Sequence, residues 1–155
     1  MDEAAVINVT DDKREGTRSV RLRVPARAEY IALARLALSG LADIVSLPEE
    51  TLADLKLALT EAVSNSVRHA YGDGAGAGSV SIEYELRGDA LAVEVVDDGK
   101  GFDPDRPPPL EGEELTEGGL GIAIIRTVAD EFELDSRPGV RGSRLRFVKR
   151  LAPQA

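Results

Sequence analysis

Residues 52–71 read LADLKLALTEAVSNSVRHAY, and the rest of the chain takes its place around them. At about 100° per residue, Leu52, Leu55, Leu59, Val63 and Ala70 stack on one side, the pattern of a helix packed on a core. Glu61, Asn65 and Arg68 fall on the opposite side, at i, i+4 and i+7, and His69 lies at the edge between the faces. A carboxylate and a carboxamide one turn apart can reach the same small object. The solvated face of an ordinary amphipathic helix has the same spacing, so the helix alone leaves both readings open.

Bulk composition narrows the choice. A chain of 155 residues, 43% hydrophobic and 30% charged, is one globular domain able to bury a real core. Aromatics are scarce and Trp is absent, so the core is aliphatic. Without cysteine there is no disulfide framework and no thiolate metal site, and one His argues against a zinc enzyme. No apolar run approaches about 20 residues, and the opening MDEAAVINV lacks a basic segment, so neither a membrane span nor a signal peptide is expected. A cytoplasmic location is the matching expectation. The net charge of −9 disfavours nucleic acid or anionic membrane as the main partner. It does not disfavour a nucleotide, which backbone N–H groups and a metal ion can hold.

Outside the central helix, alternation and punctuation set the elements. Residues 1–16 are polar and are expected to form a flexible N-terminus, with a single domain over 17–151. Val20, Leu22 and Val24 alternate with Arg21 and Arg23 in a half-buried strand that Pro25 ends. Arg27 to Val45 reads as a helix with Tyr30, Leu33, Ala37, Leu41 and Ile44 inward. Ser46 is a candidate cap before the next helix, which Pro48 opens. Gly72 to Ser79 is a connector: no Gly-Lys-Ser/Thr follows it, and a strand rather than a helix comes next. Val80, Ile82, Tyr84 and Leu86 then face inward, as do Leu91, Val93 and Val95 across the turn Arg87-Gly88-Asp89.

The parity of that second strand is informative. Asp97 shares the face of Leu91, Val93 and Val95, while Asp98 points away. A carboxylate aimed at the covered side is costly without a partner. Either it caps backbone at the turn, or it accepts from a ligand. Gly99-Lys100-Gly101-Phe102 breaks the strand, and residues 103–117 (DPDRPPPLEGEELTE) have no periodicity, as in a lid or binding loop. Gly118-Gly119-Leu120-Gly121 leads into the apolar helix IAIIRTVADEF. Such glycines suit phosphate, and equally suit a plain loop-to-helix joint. Phe132 and Leu134 form a short strand, and in the last strand Ser143, Leu145 and Phe147 share the covered face. The count is about five strands and three helices without sustained β-α-β alternation. That predicts an α+β, two-layer α/β sandwich: a mixed sheet with the helices on one face.

Three separated motifs now agree in order and spacing. LTEAVSNSVRHAY resembles the N box of the GHKL ATPase superfamily, VVDDGKGFDP its first glycine box, and EGGLGIAIIR its second. Within the superfamily the chain is most similar to the anti-sigma-factor serine/threonine kinases, through YIALARLALSGL, HAY and the ending GSRLRFVKRL. The resemblance runs from about Val20 to Leu151 and implies the Bergerat ATP-binding fold. It also implies ATP and Mg²⁺, with Asn65 holding the metal through its amide oxygen and Glu61 acting as general base. Asp97, supported by Ser143, would accept from the adenine amine. Gly99 and Gly101 would admit base and ribose, and Gly119, Leu120 and Gly121 would carry the lid hinge and its N–H groups over the phosphates.

The resemblance further implies a STAS-type anti-anti-sigma partner, a sigma factor, and a homodimer. Arg35 matches a partner-contacting position, though a surface Arg on that helix reads the same. The only His is His69, and no dimerising helix pair is present, which separates the chain from histidine autokinases. The lid departs from expectation: Glu111, Glu113, Glu114 and Glu117 crowd it, with Arg106 its only Arg or Lys. Acidic groups near a triphosphate are unfavourable unless a cation or solvent intervenes, so either the lid stays open or affinity is modest. A non-catalytic ATP-binding module is therefore the alternative to a kinase, and a stress-response switch built on the same domain is a third reading. Arg21, Arg23, Arg144 and Arg146 make either a basic docking face or an ordinary solvated sheet face.

Overall fold

A computed structural model describes residues 5–12, 14, 16–71, 78–99, 119–136 and 142–151. In chain order they form β1 (Val6–Asp12), β2 (Thr17–Pro25), a 3-10 turn (Ala28–Tyr30), α1 (Ile31–Val45) and α2 (Glu49–Tyr71). Then follow β3 (Ser79–Arg87), β4 (Ala90–Asp97), α3 (Gly119–Val128), β5 (Glu131–Ser136) and β6 (Ser143–Arg150). The strands make one sheet in the order β1-β2-β3-β4-β6-β5. Side chains from α1, α2 and α3 share a single core with β2, β3, β4 and β6. This is the expected α+β sandwich with its helices on one face.

Two features of the expected sheet are corrected. It has six strands rather than five, and every neighbouring pair is antiparallel rather than mixed. The missed strand is β1, which falls in the segment expected to be flexible. All seven of its residues are exposed. A strand that buries neither face leaves no alternation to read; its backbone pairing with β2 holds it at the sheet edge. The direction of β3 follows from where the chain rejoins the sheet. After α1 and α2, Gly78 accepts from the Ala26 N–H at 3.0 Å, and Ser79 lies opposite Pro25. The chain returns to the end that it left, so β3 must run against β2.

The helices are built as their sequences require. Ser46 takes a left-handed conformation at φ 56°, and the Leu47 N–H reaches back to the Ala42 carbonyl at 3.1 Å. This is a Schellman-type stop, so Ser46, a candidate cap for the start of α2, is the residue that ends α1. Glu49 and Glu50 sit in the first turn of α2, where the helix dipole favours them. The inward face of α1 is rotated from expectation: Ala34, Leu38, Leu41 and Ala42 are buried, whereas Ile44 is 64% exposed. In a helix that is apolar on most sides, periodicity alone does not choose the face. Leu55, Leu59 and Val63 of α2 are buried as expected. A fully buried Leu contributes roughly 1.5–3 kcal/mol, which anchors α2 against the sheet.

Strand parity is borne out. Leu22, Val24, Val80, Ile82, Tyr84, Leu91, Val93, Val95, Leu145 and Phe147 all bury on the helix side. Tyr84 spans the layer, donating its hydroxyl to the Ala34 carbonyl at 2.7 Å. On the opposite face, Arg21 and Arg144 pair with glutamates, and Arg23 donates to the Ser79 hydroxyl at 3.1 Å. Arg21 donates to Glu83 through Nε at 3.0 Å, and Arg144 pairs with Glu94 at 2.9 Å and with Glu133 at 3.8 Å. Cross-strand glutamates therefore balance these arginines, an arrangement that the strands' separate sequences conceal.

Candidate nucleotide site

The helix α2 presents its polar pair where it packs against α3 and the sheet. Glu61 is half-buried, and Asn65, one turn later, is 5% exposed. Among the described residues the Oδ1 atom of Asn65 is buried without a hydrogen-bond partner. A buried carbonyl oxygen left unpaired costs about 1–3 kcal/mol. Native proteins keep such groups where something else completes them. The solvated-face reading of this pair is thus excluded for Asn65.

The end of β4 carries the second group. Asp97 is buried at 5% exposure and Asp98 is exposed, as parity required. The Oδ1 of Asp97 accepts the Gly99 N–H at 3.0 Å, and its Oδ2 accepts the Ser143 hydroxyl at 2.5 Å. Turn capping is therefore real. It does not exhaust the carboxylate, since each oxygen keeps lone-pair capacity for a further donor. Ser143 reaches Asp97 because the two are directly opposite in the β4–β6 pairing. Sequence order hides this, because β6 inserts between β4 and β5.

Gly142 is a residue that sequence reasoning missed. Its N–H donates to the Gly99 carbonyl at 2.6 Å, extending the ladder past Asp97. Its φ of +93° favours glycine, and a Cβ there would stand 3.3 Å from the Asp97 carbonyl oxygen. The available signal was the Gly directly before Ser143.

Gly119, Leu120 and Gly121 form the first turn of α3, as the second glycine motif required. Gly121 is buried against α2: a Cβ built on it would lie 2.7 Å from the Oε2 of Glu61. Thus Glu61 meets Gly121, and Asp97 meets Gly99 and Ser143. Gly101, Gly118 and the acidic lid, with Arg106, Glu111, Glu113, Glu114 and Glu117, lie outside the described residues, as does the side chain of His69. Arg35 is exposed on α1. An open groove lined by Asn8, Arg21, Arg23, Ser81, Val96 and Asp98 also reaches Asp97, so it borders the end of β4.

The donor set can be tested for magnesium. No group of three or more His, Cys, Asp or Glu side chains able to hold a metal occurs among the described residues. An all-protein cage is not what magnesium uses; it keeps waters and phosphate oxygens and takes one or two protein oxygens. The unpaired Oδ1 of Asn65 is a hard oxygen of that kind, so the residues present fit the ion.

The histidine kinase-like ATPase domain matches residues 24–149. A serine-protein kinase RsbW of Staphylococcus aureus is 34% identical over 139 residues, covering 84% of this chain and 87% of that protein. The RsbW of Bacillus velezensis is 36% identical over 129 residues, covering 78% of this chain and 80% of that one. Among solved structures, the RsbU and RsbW domains of a Mycobacterium tuberculosis protein superpose with a TM-score of 0.64 at 19% identity, over 86% of this chain and 32% of that chain. A blue-light activated histidine kinase of Erythrobacter litoralis superposes with a TM-score of 0.56 at 23% identity, over 84% of this chain and 43% of that one. The chain spans about a third to under half of these solved chains, and they speak for the fold. The chain belongs to the histidine kinase-like ATPase domain family, in the branch of the RsbW serine-protein kinases. By that membership it is a serine/threonine-protein kinase that uses ATP, which agrees with the resemblance read from its motifs. No helix among the described residues is long and apolar enough to cross a membrane.

Proposed function

We propose that this kinase transfers the γ-phosphoryl group of ATP to a serine or threonine hydroxyl of a STAS-type anti-anti-sigma protein in the cytoplasm. In this reading it also binds a sigma factor, which the unphosphorylated partner displaces, and it acts as a homodimer. The observation that carries the proposal is the unpaired, buried Oδ1 of Asn65, one helical turn from the carboxylate of Glu61. Asn65 holds magnesium through that oxygen; when bound, the ion neutralises phosphate charge and fixes the triphosphate for in-line transfer. Glu61 takes the proton from the acceptor hydroxyl as its oxygen bonds to the γ-phosphorus and the bond to the ADP oxygen breaks. Asp97, held by Ser143 and Gly99, accepts from the adenine amine. Gly99 and Gly101 leave room for base and ribose, and the first turn of α3, through Gly119, Leu120 and Gly121, offers N–H groups to the phosphates.

The test incubates the protein with labelled ATP and Ser-bearing STAS partners. Label passes to the partner, and Glu61→Gln cuts the transfer by about 10²–10⁴-fold while nucleotide binding is largely kept. Transfer at the normal rate by Glu61→Gln overturns the assignment of the base. The acidic composition of the lid favours one other reading, a regulatory module that binds ATP and partners without catalysis. Binding without any transfer by the unaltered protein selects it.

A further inference from the structure

Gly121 occupies the third position of α3, in its first turn. No left-handed backbone angle calls for it there, in contrast to Gly142. The space that a side chain there would need is taken by Glu61. Among the described residues, the three atoms nearest to a Cβ built at Gly121 all belong to one side chain: the Oε2 of Glu61 at 2.7 Å, its Cδ at 3.6 Å and its Cβ at 3.7 Å. The two heavier contacts are ordinary, whereas the contact to the carboxylate oxygen is closer than a real Cβ allows. Relief is cheap for the fold, because a carboxylate is the mobile end of a flexible side chain. The cost falls on where that carboxylate stands.

We propose that Gly121 is a positioning residue for Glu61: its missing side chain leaves the space in which the first turn of α3 holds the Glu61 carboxylate. This assigns Gly121 a role distinct from presenting N–H groups to phosphate, which an alanine would preserve. It rests on the reading of Glu61 as the base. It also ties the placement of the Glu61 carboxylate to the packing of α3 against α2.

The test compares unaltered protein, Gly121→Ala, Glu61→Gln and the double variant, reading thermal midpoint, Mg-ATP affinity and the rate of transfer to a partner protein. Gly121→Ala is expected to keep its thermal midpoint and bind Mg-ATP within about two-fold, yet to lose about ten-fold or more in kcat, as a sub-ångström to ångström displacement of a reacting group does. Added to Glu61→Gln it is expected to cost nothing further, since its effect runs through the carboxylate. An unchanged kcat overturns the proposal. So does the same loss on both backgrounds, or weaker Mg-ATP binding at unchanged kcat. If Gly121→Ala fails to fold, Glu61→Ala in the same chain should restore folding by removing the close contact, and failure to restore it overturns the proposal. Absence of transfer by unaltered protein defeats the kinase reading and this inference together. Transfer lost in Glu61→Gln but intact in Gly121→Ala defeats this inference alone.

Discussion

Asn65→Ala separates a ligand-holding amide from a merely structural one. In the ligand-free fold the buried Oδ1 lacks a partner among the described residues, a burden of about 1–3 kcal/mol. Truncation removes that burden and leaves a small cavity, and the two oppose each other. The ligand-free variant should therefore stay within about 1 kcal/mol of the unaltered protein, less than most buried truncations cost. The ligand-bound comparison is the sensitive one. At Mg-ATP one hundred times above Kd, mass action stabilises the unaltered protein by about 2.7 kcal/mol. For a domain of 155 residues, at about 2–4 °C per kcal/mol, that raises the midpoint by roughly 5–11 °C. Calorimetric melting with ATP and magnesium, and with ATP and a chelator, isolates the magnesium-dependent part. Asn65→Ala should lose it. A variant that melts much lower without ligand, yet keeps the full magnesium-dependent rise, would show that the amide only supports the fold.

Three further outcomes are expected. Glu61→Gln should cut phosphoryl transfer by about 10²–10⁴-fold with nucleotide affinity nearly unchanged, read by single-turnover kinetics and titration calorimetry. In Asp97→Asn one carbonyl oxygen must replace the two that accept from Gly99 and Ser143. Preference for ATP over GTP should narrow, and an unchanged preference in competition binding counts against Asp97 as the adenine reader. Burial raises the pKa of Tyr84 well above its ordinary value, so the folded state keeps a proton that the unfolded state releases first. Its contribution is complete below about pH 10, the unfolded value, and is lost as pH rises beyond. Tyr84→Phe gives up the hydrogen bond to Ala34, about 1 kcal/mol near neutrality. The gap between the two proteins in urea unfolding should shrink above about pH 10, by at most about 1.4 kcal/mol per pH unit. A gap independent of pH to the alkaline limit would contradict the assigned burial.

The sequence by itself determined what depends on local period and composition. Alternation placed Asp97 on the covered face and Asp98 off it, because successive side chains in a strand must point to opposite sides. Helical period put Glu61 and Asn65 one turn apart, and glycines after a strand and before a helix marked the places where backbone approaches something else. It said nothing reliable about β1, which buries neither face, or about the face of α1, where apolar residues lie almost all round. Only the tertiary structure decided which distant residues meet. Ser143 touches Asp97 because β6 slips between β4 and β5, Arg21 and Arg144 find glutamates on neighbouring strands, and Gly121 leaves room for Glu61 because α3 docks on α2. Strand order and helix docking are set by the packing of the whole core, in which each element's burial depends on all the others, so no single stretch contains them.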